Sequence, residues 1–242
     1  HVFYPMDVSS IPGAFEIYHT RSADKGISWS ARQILSDNYE KYSQWPAGAI
    51  DENGNFVATW MDYKYGTACS GFEGDILGRV GFNHGETLLP ETRLTYTQTG
   101  IRSFCMILNN KLYVVWEDLY HFFCEYPKIM YAESSDWGQT WTEPVVITGP
   151  EERIEANPIL LYNICDGDTI FHCIMDADNP DGNGDDLYYF KRLSETGIDD
   201  EEEPVPTDYT LIQAYPNPFN SNTNLTLNSP EGGDIEVVIY NL

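Results

Sequence analysis

Within DADNPDGNGDD, residues 176–186, Asn179, Asp181, Asn183 and Gly184 take the first, third, fifth and sixth places of a calcium-binding loop. The twelfth place, where such a loop needs a bidentate Glu, holds Phe190. The segment therefore reads as a polar hairpin joining two strands, with calcium at Asn179, Asp181 and Asn183 as the alternative. Trp45 and Tyr42 stand at the entry to another strand, where a ring face can stack on the CH-rich side of a sugar as readily as it packs a core. Five cysteines, Cys69, Cys105, Cys124, Cys165 and Cys173, lack the CxxC spacing of a zinc or redox centre. They read as buried thiols, or as one or two disulfides if the protein is exported.

The elements that must position these groups belong to a chain of 242 residues, 42% hydrophobic and 14% aromatic, long enough for one sizeable core. A net charge of −25 repels polyanions at long range, which weighs against nucleic acid or an anionic membrane as partner. No apolar run approaches the roughly 18 residues of a spanning helix. The chain begins at His1 without an initiator Met and is expected to continue upstream.

Four runs end alike, VFYPMD at Asp7, VATWMD at Asp62, YVVWED at Asp118 and FHCIMD at Asp176, in steps of 55, 56 and 58 residues. Each is followed by a second run: FEIYHTRS, DILGRVGF, KIMYAESS and DLYYFKRLS. Their Val, Ile, Tyr, Phe and Trp content and their Gly, Asn and Asp punctuation predict antiparallel strands joined by hairpins. An all-β fold follows. Two complete units of four strands can be traced, one from Ala47 to about Tyr96 and one from SFCMILN to PVVITG. That higher-order period predicts propeller blades rather than a sandwich.

Between the third and fourth strands of two units lie SADKGISW and SSDWGQTW. Ser22, Asp24, Gly26, Ser28 and Trp29 in the first, and Ser134, Asp136, Gly138, Thr140 and Trp141 in the second, resemble the Asp-box, or BNR repeat, of the sialidase-like propellers. Short Ser and Asp side chains accept backbone N–H bonds, Gly takes a left-handed angle and the Trp ring covers the turn. GFNHGETL (81–88) and LSETG (193–197) are degenerate at the matching places. The resemblance implies about four sialidase-type blades over residues 1–195, a partial propeller taken from a six-bladed ring, with the first blade missing its inner strand and the last its outer one. It also implies that the boxes lie away from the substrate pocket.

TGIDDEEEPVPTD then carries five consecutive acids and two prolines, and residues 196–208 read as a solvated linker. In residues 209–242, YPNPFN (Tyr215 to Asn220) followed by a Thr/Asn/Leu alternation resembles the C-terminal sorting domain of type IX secretion cargo. That resemblance implies the start of a small Ig-like β-sandwich, export from a Gram-negative cell through the type IX machinery, and release or attachment at the cell surface.

The sialidase resemblance implies three arginines clamping a carboxylate, a Tyr nucleophile activated by Glu, and an Asp acid/base. The family's Arg-Ile-Pro motif does not occur in this chain. Of the seven arginines, the implied blades direct Arg102 and Arg153 from inner strands toward the pocket, with Glu155, Glu117 and Asp118 as nearby carboxylates and Trp45 as a stacking face. Tyr63, Tyr65 and Tyr120 follow second strands, and none is singled out as a nucleophile. Three classes stay open: an exo-sialidase-type glycosidase whose catalytic residues lie partly upstream, a non-catalytic propeller binding a carbohydrate or a cell-surface protein, and a structural module of a larger surface polypeptide.

Overall fold

Each hairpin is closed by residues that the turn geometry demands. Asp51 accepts the Asn53 and Asn55 amide protons at 2.9 and 2.8 Å, while Gly54 sits at φ 76°. At the next hairpin Asn109 and Asn110 both hold positive φ, the requirement of a two-residue type I′ turn. The strands so joined were located in a computed structural model. It describes residues 1–8, 14–37, 42–66, 74–119, 127–147, 155–165, 168–178, 185–193, 212–215 and 224–227.

The described chain is all-β, without an α-helix. In the first sheet β1 (Val2–Asp7), β2 (Phe15–Thr20) and β3 (Gln33–Ile34) form a meander. The second contains β4 (Ser43–Ile50), β5 (Phe56–Asp62), β6 (Asp75–Phe82) and β7 (Thr87–Leu88), with β8 (Thr92–Arg93) also on β6. The run TRLTY is thus shared out, only its first two residues being strand. The third comprises β9 (Gly100–Leu108), β10 (Lys111–Asp118), β11 (Lys128–Ser134) and β12 (Val145–Val146). The fourth comprises β13 (Glu155–Cys165), β14 (Asp168–Asp178) and β15 (Asp185–Leu193). Every pairing within these sheets is antiparallel. These sheets belong to a compact unit spanning residues 1–194. In the second unit, 195–242, β16 (Ile212–Tyr215) pairs antiparallel with β17 (Asn224–Leu227).

Successive sheets pack face to face, so the middle strands are buried on both sides. Phe56, Ala58 and Trp60 of β5 join Ile17 and Leu35 of the first sheet, whereas Val57 joins Cys105, Leu112, Val114 and Trp116 of the third. Tyr113 and Val115 of β10 turn the other way, onto Leu160, Phe171, Cys173 and Met175 of the fourth. The period-2 pleat thus feeds two cores from one strand, which is why FVATWMD and KLYVVWED show no polar alternation. Cys105 and Cys173 are free thiols in these seams, and burial pushes both up to about 12. Cys69 and Cys124 lie outside the described residues.

The two octapeptides close alike. Ser22 Oγ accepts from Gly26 N at 2.7 Å and Asp24 from Ser28 N at 2.8 Å; Ser134 and Asp136 do the same for Gly138 N at 2.8 Å and Thr140 N at 2.9 Å. Gly26 and Gly138 hold φ 89° and 78°, each beside its own Trp ring. The hydroxyls of Ser28 and Thr140 hydrogen-bond to Asp24 and Asp136 and hold both carboxyls down to about 2. Their packing differs: Trp137 and Trp141 lie against the seam of the second and third sheets, whereas Trp29 is 49% exposed.

The repeated Asp residues do not share one position, contrary to the sequence alignment. Asp62 and Asp118 are equivalent: each is buried at the end of its strand and accepts a hydroxyl, from Ser43 at 2.8 Å and from Thr99 at 2.6 Å. Asp176 stands one place earlier, opposite Ala156, and takes the Asn157 amide at 2.8 Å. Asp7 is exposed, opposite Phe15. Asp62 and Asp118 stand two places beyond the residue that faces a register slip in the neighbouring strand, Trp60 and Trp116, whereas Asp176 stands one place beyond Met175.

A chain of histidines ties the first sheet to the second. Gln33 donates its amide to the Gly85 carbonyl at 2.8 Å, so its oxygen accepts from His19 Nδ1 at 3.2 Å. That fixes His19 Nε2 as acceptor for His1 Nδ1 at 2.8 Å, and His1 Nε2 as acceptor for His84 Nδ1 at 3.3 Å. His19 is 2% exposed, stacks on Phe3 and tilts against Phe56.

Candidate functional site

The first strands of the second, third and fourth sheets carry the same irregularity. In β4 the register slips between Gln44 and Ala47, leaving Trp45 and Pro46 opposite the one residue Trp60. In β9 Arg102 and Ser103 stand opposite Trp116, and in β13 Asn157 and Pro158 stand opposite Met175. Each is a β-bulge, and the first residue of each is left-handed: Trp45 at φ 49°, Arg102 at 45° and Asn157 at 52°. A left-handed backbone at a non-Gly residue costs about 1–2 kcal/mol. Three such residues at corresponding places mark a constrained site. Proline suits a bulge because no ladder hydrogen bond is lost there.

The bulges meet. Trp45, Pro46, Arg102, Ser103, Asn157, Pro158 and Ile159 line one open cleft of about 420 Å³. Arg102 Nη1 lies 3.0 Å from Glu117 Oε2, and its guanidinium stands 5.2 Å from the Trp45 ring centroid, within cation–π range. Glu117 is 3% exposed. Burial raises its carboxyl above the usual range, while Arg102 and the Asn157 backbone N–H oppose the rise. The carboxylate thereby joins the third sheet to the fourth. Ser103 shares a hydroxyl bond with Thr59 at 2.9 Å, and the Asn157 amide donates to Asp176 at 2.8 Å.

Of the residues expected from sequence, Trp45 and Arg102 reach the cleft and touch one another. Glu155 does not line it: it is fully buried, with Lys128 Nζ 3.7 Å away. Arg153 lies outside the described residues, as do Tyr120 and the candidate calcium ligands Asn179, Asp181 and Asn183. Among the described residues, no three His, Cys, Asp or Glu side chains are grouped to hold a metal ion. Ser22, Asp24, Gly26, Trp29, Ser134, Asp136, Gly138, Thr140 and Trp141 form the two turns and are absent from the cleft lining. Tyr63 is buried, and burial pushes its phenol up, away from the ionised form a nucleophile needs. Arg93 lies over the Tyr65 and Tyr96 rings, anchored to buried Asp75 at 2.6 Å.

Sequence reasoning missed Pro46, Ser103, Asn157, Pro158 and Ile159. The available signal was the Pro inside SQWPAGAI and again inside EANPILLY, because a strand tolerates Pro chiefly at an edge or a bulge.

No protein-family model matches the chain, and no curated protein does. Among solved structures it is similar to a protein of unknown function from Dyadobacter fermentans, at 11% identity and a TM-score of 0.51, covering 74% of this chain and 45% of that one. It is also similar to an alpha-L-arabinanase from Penicillium chrysogenum solved with arabinobiose, at 16% identity and a TM-score of 0.48, covering 79% and 62%. A third likeness is to the Hadza microbial sialidase Hz136, at 13% identity and a TM-score of 0.41, covering 62% and 40%. The chain spans between 40 and 62% of the length of these structures. At such identities the likeness concerns the fold alone.

Proposed function

We propose that residues 1–194 are part of a sialidase-like β-propeller whose cleft at Trp45, Arg102 and Asn157 binds a carbohydrate without hydrolysing it. The observation that carries this reading is the triple bulge. Three consecutive sheets hold an unfavourable backbone angle at the same place, and each presents a residue suited to sugars: an aromatic face, a guanidinium and an amide. Hydrolysis would need either two carboxyl groups flanking the scissile bond or, in the sialidase manner, a Tyr nucleophile beside a Glu with an Asp as acid/base. Among the described residues, the carboxyl groups bonded to the lining, Glu117 and Asp176, are engaged by Arg102 and Asn157, and no Tyr lines the cleft.

Export through the type IX machinery to the medium or the cell surface is the companion proposal, supported by YPNPFN and the alternation that follows it. The test of the main reading is a glycan array probed with the full chain, alongside release of a fluorogenic leaving group from a panel of glycosides. Binding that is lost in Trp45→Ala, without turnover, is the expected result. Turnover sensitive to Glu117→Gln would favour the glycosidase alternative.

A further inference from the structure

Resting on the reading of the cleft as a carbohydrate site, we infer that it selects uncharged glycans over glycans bearing a carboxylate or sulfate. Among the described residues that line the cleft, Arg102 is the one that carries a charge, and that charge is already matched. Glu117, 3% exposed, holds Arg102 Nη1 at 3.0 Å and is itself held by the Asn157 backbone N–H. An anion that drew Arg102 away would strand a buried carboxylate, and breaking a buried pair from one side is strongly unfavourable. An anion that merely joined the pair would set a second negative charge beside the Glu117 carboxylate. Asp176, bonded to Asn157, adds a second negative charge beside the cleft. At longer range the chain's −25 lowers the local concentration of any anionic ligand.

An uncharged sugar meets none of these penalties. The Trp45 ring, 39% exposed, offers an apolar face. The Asn157 amide spends one of its two N–H groups on Asp176, leaving its carbonyl oxygen to accept from a hydroxyl. Arg102, whose side chain is 40% exposed, keeps further N–H groups to donate. In this cleft the guanidinium therefore acts as a fixed multiple donor rather than as a charge clamp.

The experiment is an array of matched neutral, sialylated, uronate-bearing and sulfated glycans probed with the full chain, followed by calorimetric titration of the best pair, such as lactose against 3′-sialyllactose. The expected result is affinity for the neutral member at least tenfold above its anionic partner. Glu117→Gln, which leaves Arg102 unmatched, should raise the anionic-to-neutral affinity ratio at least tenfold. Should that variant fail to fold, Asp176→Asn, on the rim, should move the ratio the same way. Preference of the wild type for the anionic member overturns this inference while leaving the cleft a glycan site. Binding to no glycan of either kind overturns the carbohydrate reading itself, and the selectivity with it.

Discussion

At the scale of single residues, similar backbone conformations serve two different ends. In the octapeptide turns the left-handed glycines make room for hydrogen bonds that the Ser and Asp side chains accept, so the turn is held by its own sequence. Asp136→Ala removes the acceptor for both the amide and the hydroxyl of Thr140, and a lower melting temperature at pH 7 is expected. Because Asp136 is held at about 2 in the fold against 3.8 ordinarily, its contribution is complete above about pH 5 and lost as the pH falls toward 2. Wild type and variant should therefore converge in thermal melts near pH 2. At Trp45 the left-handed angle is instead held against the preference of its residue. Trp45→Gly relieves it, whereas Trp45→Val imposes it on a β-branched side chain. Both should abolish glycan binding, yet urea unfolding should place the Gly variant above the Val variant by about 1–2 kcal/mol.

At the scale of elements, the seams between sheets hold the architecture, and each is served by alternate residues of the same strand. The first seam depends on imidazole. The His84–His1–His19–Gln33 chain is complete when every ring is neutral, since His84 donates to His1, His1 to His19 and His19 to Gln33. Burial lowers the pKa of His19 below 6.5, reinforced by the neighbouring positive charge of Arg21, although its bond to Gln33 opposes the shift. A base whose folded pKa is depressed stabilises the fold above its unfolded pKa and loses that contribution as the pH drops below about 6.5. Thermal melts at pH 7.5 and 5.5 should show a lower transition at the acid value, and His19→Phe should reduce that gap. An unchanged gap would remove His19 from the cause. The bulges belong to this scale too, because a register slip in three first strands brings their side chains into one cleft.

At the scale of the whole molecule, charge dominates. With 38 acidic and 13 basic residues, self-repulsion opposes compaction, and screening relieves it. Raising NaCl from about 20 to about 300 mM, which shortens the Debye length from roughly 20 to roughly 6 Å, should raise the melting temperature. A fall would instead mean that ion pairs such as Lys64 with Glu91 and Arg102 with Glu117 outweigh the general repulsion.

The sequence by itself determined what local chemistry closes: the antiparallel hairpins at Asp51–Asn55 and Asn109–Asn110, the two Ser-x-Asp-x-Gly turns, and the all-β character that follows. A turn contains its own donors, acceptors and permissive glycines within a few residues, so its geometry is written in one stretch of chain. Only the tertiary structure decided that Trp45, Arg102 and Asn157 meet, that Glu117 neutralises Arg102, and that Asp176 falls out of step with Asp62 and Asp118. Those outcomes rest on pairing between strands, where a one-residue slip redirects a side chain without changing the composition of either run.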